Sequence, residues 1–315
     1  MKKTAVIEGG FSREKAISIK SAQTVFENLD LSKFSPIKVL IDQNEWTAYD
    51  QEGSYPINKN DFSYVKNGLK NYFSYAFIVI HGTPGEDGKL QGYLDMIGVP
   101  YNTSSTSIMA LTFQKFHCNK FLKNFGIEVP DSVLITSKEN INEKSIVENV
   151  KFPCFVKPTD GGSSFGVTKV KKHNKLLPAI HKAFKHGSEV IVEQSIEGRE
   201  ATCGAYGNRN GIKVLPVTEI ISENEYFDYD AKYNGKSREI TPGDFGNEIT
   251  SKIKVLTKKI YKILDMKGIV RMDYIVNKKG DPLLIEINSI PGLSKESIVP
   301  QMLKVDNINL QSILG

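Results

Sequence analysis

Four residues near the end of the chain have the types and spacing to manage negative charge: Arg271, Asp273, Glu286 and Asn288. They sit in two segments, 271–277 and 282–288, that alternate apolar with polar residues, the mark of half-buried strands. The short stretch between them holds Gly280 and Asp281, so the pair reads as a β-hairpin. With a loop over 278–281, Asp273 faces Glu286 and Arg271 faces Asn288. Directly opposed side chains share a face with Cβ atoms roughly 5 Å apart, and two carboxylates so placed repel unless a positive charge lies between them. Oxygen donors at that spacing suit a hard cation such as Mg²⁺ with phosphate oxygens completing its shell. Arg271 adds a fixed fork of donors. The competing reading is a solvated hairpin face with ordinary charges. On the apolar side the alternation expects Met272, Tyr274 and Val276 to share one face, and Leu283, Ile285 and Ile287 to share the face of the second strand.

Three other stretches carry chemistry. Lys157 ends an apolar run and is followed by Gly161, Gly162, Ser163, Ser164 and Gly166. Such a loop lets backbone N–H groups and hydroxyls approach phosphate, although its order differs from the Walker pattern because the lysine comes first. A flexible hairpin loop is the alternative. His81, Glu86 and Asp87 lie in a glycine-rich loop leaving the strand 76–80, the edge at which open α/β sheets bind ligands. Gly9 and Gly10 follow a strand and precede a helix, with Glu14 at its first turn to hold a substrate ammonium or simply complement the helix dipole. This is not the GxGxxG fingerprint, which weakens a nicotinamide reading.

The elements that must position these residues can be read from periodicity. Strands are expected at 4–7, 37–41, 76–80, 99–101, 189–193, 201–206 and 213–220, and a polar, poorly periodic stretch runs to about residue 70. Ile19, Ala22, Val25, Phe26 and Leu29 mark a helix with Ser12 as its N-cap. Further helices are expected at 90–96, at 106–125 (one helix carrying Lys115 and closed by Gly126), at about 175–185 and at 247–264, with a last helix started by the stretch 291–297. The unpatterned stretch 222–246, with Tyr226, Phe227, Tyr229, Lys232 and Tyr233, is long enough for a lid, and its aromatics could equally form a satellite core.

Composition limits the classes. At 315 residues, 40% hydrophobic and 24% charged, the chain has room for two or three globular domains. The net charge of +5 is spread among scattered lysines; the densest run, 169–175, reads as an exposed strand-to-helix turn and not a nucleic-acid patch. A mild positive balance suits anionic substrates. Cys118, Cys154 and Cys203 form no CxxC or zinc spacing, as expected of free thiols in a reducing cytosol. No apolar run reaches the length of a membrane helix, and the N-terminal run is too short for a signal peptide.

Taken in order, Gly9-Gly10 with Glu14 and Ser18, the 81–92 stretch, Lys157 with Ser163 and Ser164, the 228–233 stretch, and Arg271 to Gly292 resemble the D-alanine–D-alanine ligases of the ATP-grasp superfamily across nearly the whole chain. The resemblance implies an α/β and α+β multidomain protein of ATP-grasp architecture with an N-terminal Rossmann-like domain. Its boundaries are 1–103 for the N-terminal substrate-binding domain, 104–192 for the central subdomain, and 193–315 for the C-terminal subdomain with metal hairpin and lid. It implies ATP-dependent joining of two D-alanine molecules through an acyl phosphate, for peptidoglycan precursor synthesis in the cytoplasm, by a homodimer with no nucleic-acid or membrane partner. Lys115, Lys157, Ser163, Ser164 and Lys232 would contact ATP, and Glu193, Ile196 and Glu200 its adenine and ribose. Asp273, Glu286 and Asn288 would bind two Mg²⁺ or Mn²⁺. Glu14, His81 and Ser297 would hold the first D-alanine, and Arg271 and Gly292 the second. Glu14, Ser163 and Tyr233 would form a closing hydrogen-bonded link.

The chain departs from the family pattern at Tyr101-Asn102-Thr103-Ser104, at Phe113-Gln114 and at Asn119, where a second lysine often stands. An ATP-grasp ligase for a different amino acid or hydroxy acid pair, and a nucleotide-binding regulator without turnover, remain as alternatives.

Overall fold

A computed structural model describes residues 1–160, 166–208, 210–222 and 237–314. Its strands lie in three sheets of seven, four and five strands, with helices packed against them.

The first sheet has the order β6-β5-β4-β3-β2-β1-β7. β1 (Lys2–Gly9) lies parallel to both β2 (Phe34–Ile41) and β7 (Tyr75–Ile78). Ala5, Val6 and Ile7 are fully buried, as a strand covered on both faces requires. The stretch that lacked periodicity in the sequence folds into β3 (Trp46–Asp50), β4 (Gly53–Asn58), β5 (Ser63–Lys66) and β6 (Leu69–Tyr72), an antiparallel meander. These strands are short, and β3 and β4 bury one residue each, Ala48 and Ile57, which is too little to imprint alternation.

Helix α1 (Lys15–Asn28) returns from β1 and buries Ser18, Ser21, Ala22 and Val25; Ile19, expected on this face, is exposed. Ser12 is not the N-cap. Glu14 occupies that position, while the Ser12 hydroxyl accepts from the Glu14 N–H at 3.2 Å and donates to the His81 carbonyl at 2.7 Å. Gly9 is required where it stands: its φ is +99°, and a Cβ there would lie 2.6 Å from the Ile41 carbonyl oxygen. The loop after β7 leads into α2 (Lys89–Met96).

The helix expected over 106–125 is two helices, α3 (Thr106–Phe113) and α4 (Lys115–Lys123), broken at Gln114 (φ −91°, ψ 89°). The break has a local cause. The Lys115 N–H donates to the Thr159 carbonyl at 3.1 Å and the Phe116 N–H to its hydroxyl at 3.4 Å, so Thr159 satisfies donors that a continuous helix would have used internally. Cys118 and Leu122 of α4 join the core of the third sheet.

The second sheet, in the order β10-β9-β11-β8, consists of β8 (Ser132–Ile135), β9 (Cys154–Pro158), β10 (Thr168–Val170) and β11 (Val190–Gln194). Helices α5 (Glu143–Asn149) and α6 (Leu176–Ala183) supply Ile146, Leu176 and Ile180 to its core.

The third sheet has the order β14-β13-β12-β15-β16, from β12 (Gly198–Asn208), β13 (Gly211–Ser222), β14 (Ser237–Ile240), β15 (Ile269–Asn277) and β16 (Pro282–Asn288). Helix α7 (Gly246–Ile263) covers it with Ile253 and Ile260, both fully buried as their spacing predicts. Helices α8 (Ile298–Val305) and α9 (Gln311–Leu314) close the chain; Val299, Met302 and Leu314 share a core with Ala22 and Val25 of α1.

The β15–β16 hairpin reproduces the expected pairs, Asp273 with Glu286 and Arg271 with Asn288, by a different route. The Asn277 N–H bonds the Asp281 carbonyl at 3.0 Å, so the turn closes one residue earlier than a loop over 278–281. A register shift between Asp273 and Tyr274 adds the residue back as a bulge. One consequence corrects the expected faces. Met272, Tyr274 and Val276 are buried as expected, but on β16 the buried residues are Leu284 and Ile287, and not Leu283 and Ile285. Asn119, 2% exposed, donates to the Ile285 carbonyl at 3.2 Å, so this side chain serves the bulge.

Candidate active site

A cavity of about 400 Å³ opens where the ends of β1 and β7 meet the β15–β16 hairpin. Its walls include Glu14, His81, Lys115, Arg271, Glu286, Asn288, Gly292 and Ser297, eight residues from stretches that are distant in sequence. Glu86, Glu239 and Thr112 also line it.

The electrostatics of the hairpin wall follow from pairing. Arg271 donates from Nε and an Nη to the two Asp273 carboxylate oxygens, each at 2.9 Å, the bidentate fork that fixes both groups. Thr202 of β12 donates to Asp273 at 2.6 Å, and the Asn288 side-chain amide does so at 2.9 Å. Burial opposes charge on Arg271, but Asp273, with Glu286 and Glu239 beyond it, holds the guanidinium well above its ordinary pKa. Lys115 lies 3.5 Å from Glu286. Each of the two facing acids is thus matched by a cation.

The opposite wall is acidic. Burial, and next the neighbouring Glu14 carboxylate, push the Glu86 carboxyl up to about 7. Burial depresses the His81 imidazole, keeping it neutral, while the Glu14 carboxylate works in the other direction. At the cavity floor Gly292 leaves room for its neighbour: a Cβ there would lie 2.7 Å from the Ser297 hydroxyl. Ser297 sits at the N-cap of α8, which directs the unpaired N–H groups of that helix toward the same end.

Lys157 and Glu193 lie apart from this cavity in the second sheet. Their side chains bond at 2.6 Å and are almost enclosed, and the second Glu193 oxygen has no partner among the described residues. Ile196 and Glu200 are half-buried at the crossing from β11 to β12. Ser163, Ser164, Lys232 and Tyr233, and with them the link from Glu14 through Ser163 to Tyr233, lie outside the described residues, as do most of the stretch 222–246 and its aromatics Tyr226, Phe227 and Tyr229.

By the chemistry of its donors the hairpin suits a divalent ion of the Mg²⁺ type, with two carboxylates and an amide oxygen on neighbouring positions of one face. Asp273 already accepts four hydrogen bonds from Arg271, Thr202 and Asn288, so it would exchange some of them to ligate an ion. Among the described residues no group of three or more His, Cys, Asp or Glu side chains is placed to hold a metal ion by itself. Thr202 and Glu239 escaped the sequence reading. Thr202 faces Asp273 only through the β12–β15 register, and Glu239 follows a stretch without periodicity.

Comparison with known proteins agrees with this geometry. The D-ala D-ala ligase N-terminus model matches residues 3–104 and the D-ala D-ala ligase C-terminus model matches residues 121–315. The chain belongs to the D-alanine–D-alanine ligase family. It is 45% identical to a D-alanine–D-alanine ligase of Parabacteroides distasonis, over 99% of this chain and 95% of that one. A second such ligase, from Azobacteroides pseudotrichonymphae, is 44% identical over 100% and 98%. Among solved structures, the VanG D-Ala:D-Ser ligase of Enterococcus faecalis superposes with a TM-score of 0.89 at 33% identity, covering 99% of this chain and 97% of that one. The ATP-grasp multidomain architecture that the resemblance implied is therefore the one observed. No helix among the described residues is long and apolar enough to cross a membrane.

Proposed function

We propose that this enzyme, an ADP-forming ligase, joins two D-alanine molecules into D-alanyl-D-alanine for peptidoglycan precursors, with the residue roles that follow. The observation that carries the reading is the pairing of Asp273 with Glu286 and of Arg271 with Asn288, which sets Arg271, Glu286 and Asn288 on the wall of a cavity that Glu14 and His81 also line.

A carboxylate does not react with an amine at neutral pH because its oxygen is a poor leaving group. ATP overcomes this by passing its γ-phosphoryl to a carboxylate oxygen of the first D-alanine, releasing ADP. Glu14 receives that substrate's ammonium and Ser297 contacts the same substrate, with His81 in the wall of the same pocket. Lys115 and Lys157 neutralise phosphate charge, with Ser163, Ser164 and Lys232 as further contacts, and Glu193, Ile196 and Glu200 hold adenine and ribose. Asp273, Glu286 and Asn288 hold Mg²⁺ or Mn²⁺, which when bound offsets the charge of the transferring phosphoryl group. The second D-alanine attacks the acyl carbon as a free amine, having shed a proton. Arg271 and the Gly292 N–H stabilise the tetrahedral oxyanion, and inorganic phosphate leaves. Water must be excluded meanwhile, which is the task we give to the stretch 222–246 and the Glu14, Ser163, Tyr233 link.

We keep 1–103, 104–192 and 193–315 as the proposed domains; the strands of the three sheets span residues 2–78, 132–194 and 198–288, so the second boundary falls inside β11 (Val190–Gln194) and belongs two residues later. A cytoplasmic site accords with ATP use and with three free, buried cysteines. A homodimer is carried over from family likeness, and sedimentation velocity tests it.

The deciding experiment is a coupled ADP assay with D-alanine, L-alanine, D-serine and D-lactate, with and without Mg²⁺. Turnover with D-alanine alone as the amino acid is expected. ATP binding without amino-acid-dependent ADP release would instead favour a regulator. Tyr233→Phe is expected to raise the D-lactate to D-alanine rate ratio; an unchanged ratio rejects a specificity role for that hydroxyl.

A further inference from the structure

The turn 289–293 follows Asn288, the last residue of β16, and carries Gly292, yet it is held mainly by the N-terminal part of the chain. Ile290 is gripped at both ends of its backbone by one loop. Its N–H donates to the Glu86 carboxylate at 3.2 Å, and its carbonyl is 2.8 Å from His81 Nδ1. A carbonyl only accepts, so His81 carries its proton on Nδ1. Further along the turn, the Leu293 N–H donates to the Ser21 hydroxyl of α1 at 3.1 Å, and Ser21 contacts His81 Nε2 at 3.3 Å. Glu86 also accepts from the Gly82 N–H at 2.7 Å with its other oxygen, so its two oxygens bridge the 81–86 loop to the turn. These contacts are enclosed: Ser21, His81, Ile290 and Leu293 are each no more than 6% exposed.

We propose that Glu86 is a positioning residue for the ligation step: by bridging Gly82 to Ile290 it holds the 289–293 turn in the register that aims the Gly292 N–H at the reacting carbonyl. The reason is geometric. Gly292 is two residues from the clamped Ile290 and flanked on its other side by the clamped Leu293, so the orientation of its N–H is set by those two anchors. A displacement of an ångström at such a donor is enough to lose much of its effect on a developing oxyanion. Glutamate is suited because both partners are donors. A glutamine offers one oxygen and one NH₂, and must present the NH₂ to one of the two N–H groups. The same loop supplies His81, so the first-substrate pocket and the oxyanion donor are built as one unit.

The proposal rests on the role given above to Gly292, and its test separates the two. Hydrogen exchange on the substrate-free Glu86→Gln protein reads the clamp without reference to any substrate. The peptide covering 289–293 is expected to exchange at least about tenfold faster than in the parent, with the β12–β13 peptides unchanged. In steady-state kinetics kcat is expected to fall at least about tenfold while the KM for ATP stays within about twofold, a split that general loss of structure would not produce. Unchanged exchange overturns the proposal whatever happens to the rate, and faster exchange with an unchanged kcat overturns it too. If Glu86→Gln does not fold, Ser21→Ala, which removes the Leu293 acceptor and the contact to His81 Nε2, is measured in the same way with the same outcomes deciding. Failure of the parent to make dipeptide while the exchange result holds would point to the substrate assignment and not to the clamp.

Discussion

Glu8 and Asp273 are both carboxylates on interior strands, and their sheets neutralise them in opposite ways. Glu8, at the end of β1, is 1% exposed; the Tyr49 hydroxyl donates to one of its oxygens and the other has no partner among the described residues. Burial raises its pKa, more than Tyr49 and Lys38 lower it, so its proton is retained into a range where an ordinary glutamate has lost it. Asp273 is surrounded by donors, two from Arg271 and one each from Thr202 and Asn288. A sheet can tolerate an acid by letting it become neutral or by surrounding its charge. Only the second keeps a charge available for a cation, and in this chain it occurs at the cavity. Lys157 and Glu193 repeat it in the second sheet.

The sharpest way to break that contrast is at the hairpin. Asp273→Asn or Glu286→Gln is expected to lower ADP release with D-alanine by roughly a thousandfold or more, the several kcal/mol that a bound metal contributes. Rates near those of the parent in either variant would show that the charge retained there is not used. The next effect is on stability. Lys157→Met leaves Glu193 enclosed and without its cation, which costs on the order of 3 kcal/mol in urea unfolding; a midpoint within error of the parent would mean that the enclosed charge is not held by its partner.

The smallest effect is at Glu8. Its raised pKa in the fold means that the folded chain binds its proton at higher pH than the unfolded chain. The resulting penalty is therefore present above the folded pKa and relieved as the pH falls toward 4.5, the ordinary glutamate value. Glu8→Gln, neutral throughout, is expected to stabilise the protein by about 1 kcal/mol near pH 8, and the gain should shrink as melting temperatures are measured at successively lower pH. A gain that grows on acidification would reverse the sign and show that Glu8 is ionised in the fold.

The placement of several candidate residues was legible because it is written in short local patterns. Alternation in 271–277 and 282–288, with a four-residue loop supposed between them, sets Asp273 opposite Glu286; the hairpin pairs them so because a bulge offsets a turn that closes one residue earlier. The strand-end positions of Gly9, His81 and Lys157 mark the edges where ligands gather. What escaped was set by contacts far apart in the chain. The split at Gln114 depends on Thr159, which lies 43 residues beyond the Phe116 N–H that it accepts. The meander from β3 to β6 is held by cross-strand bonds between mostly polar residues. Thr202 meets Asp273 only because β12 pairs with β15.

By itself, then, the order of residues determined which candidate groups stand on which strands, since side-chain period and turn residues act over a few positions. The tertiary structure decided where the register of β16 is corrected, which of its residues enter the core, and how Ser21, His81 and Glu86 reach across to the turn at 289–293. Those outcomes depend on bulges and hydrogen bonds between segments some 200 residues apart, where no local pattern exists and the free energy is settled only when the sheets and helices have packed.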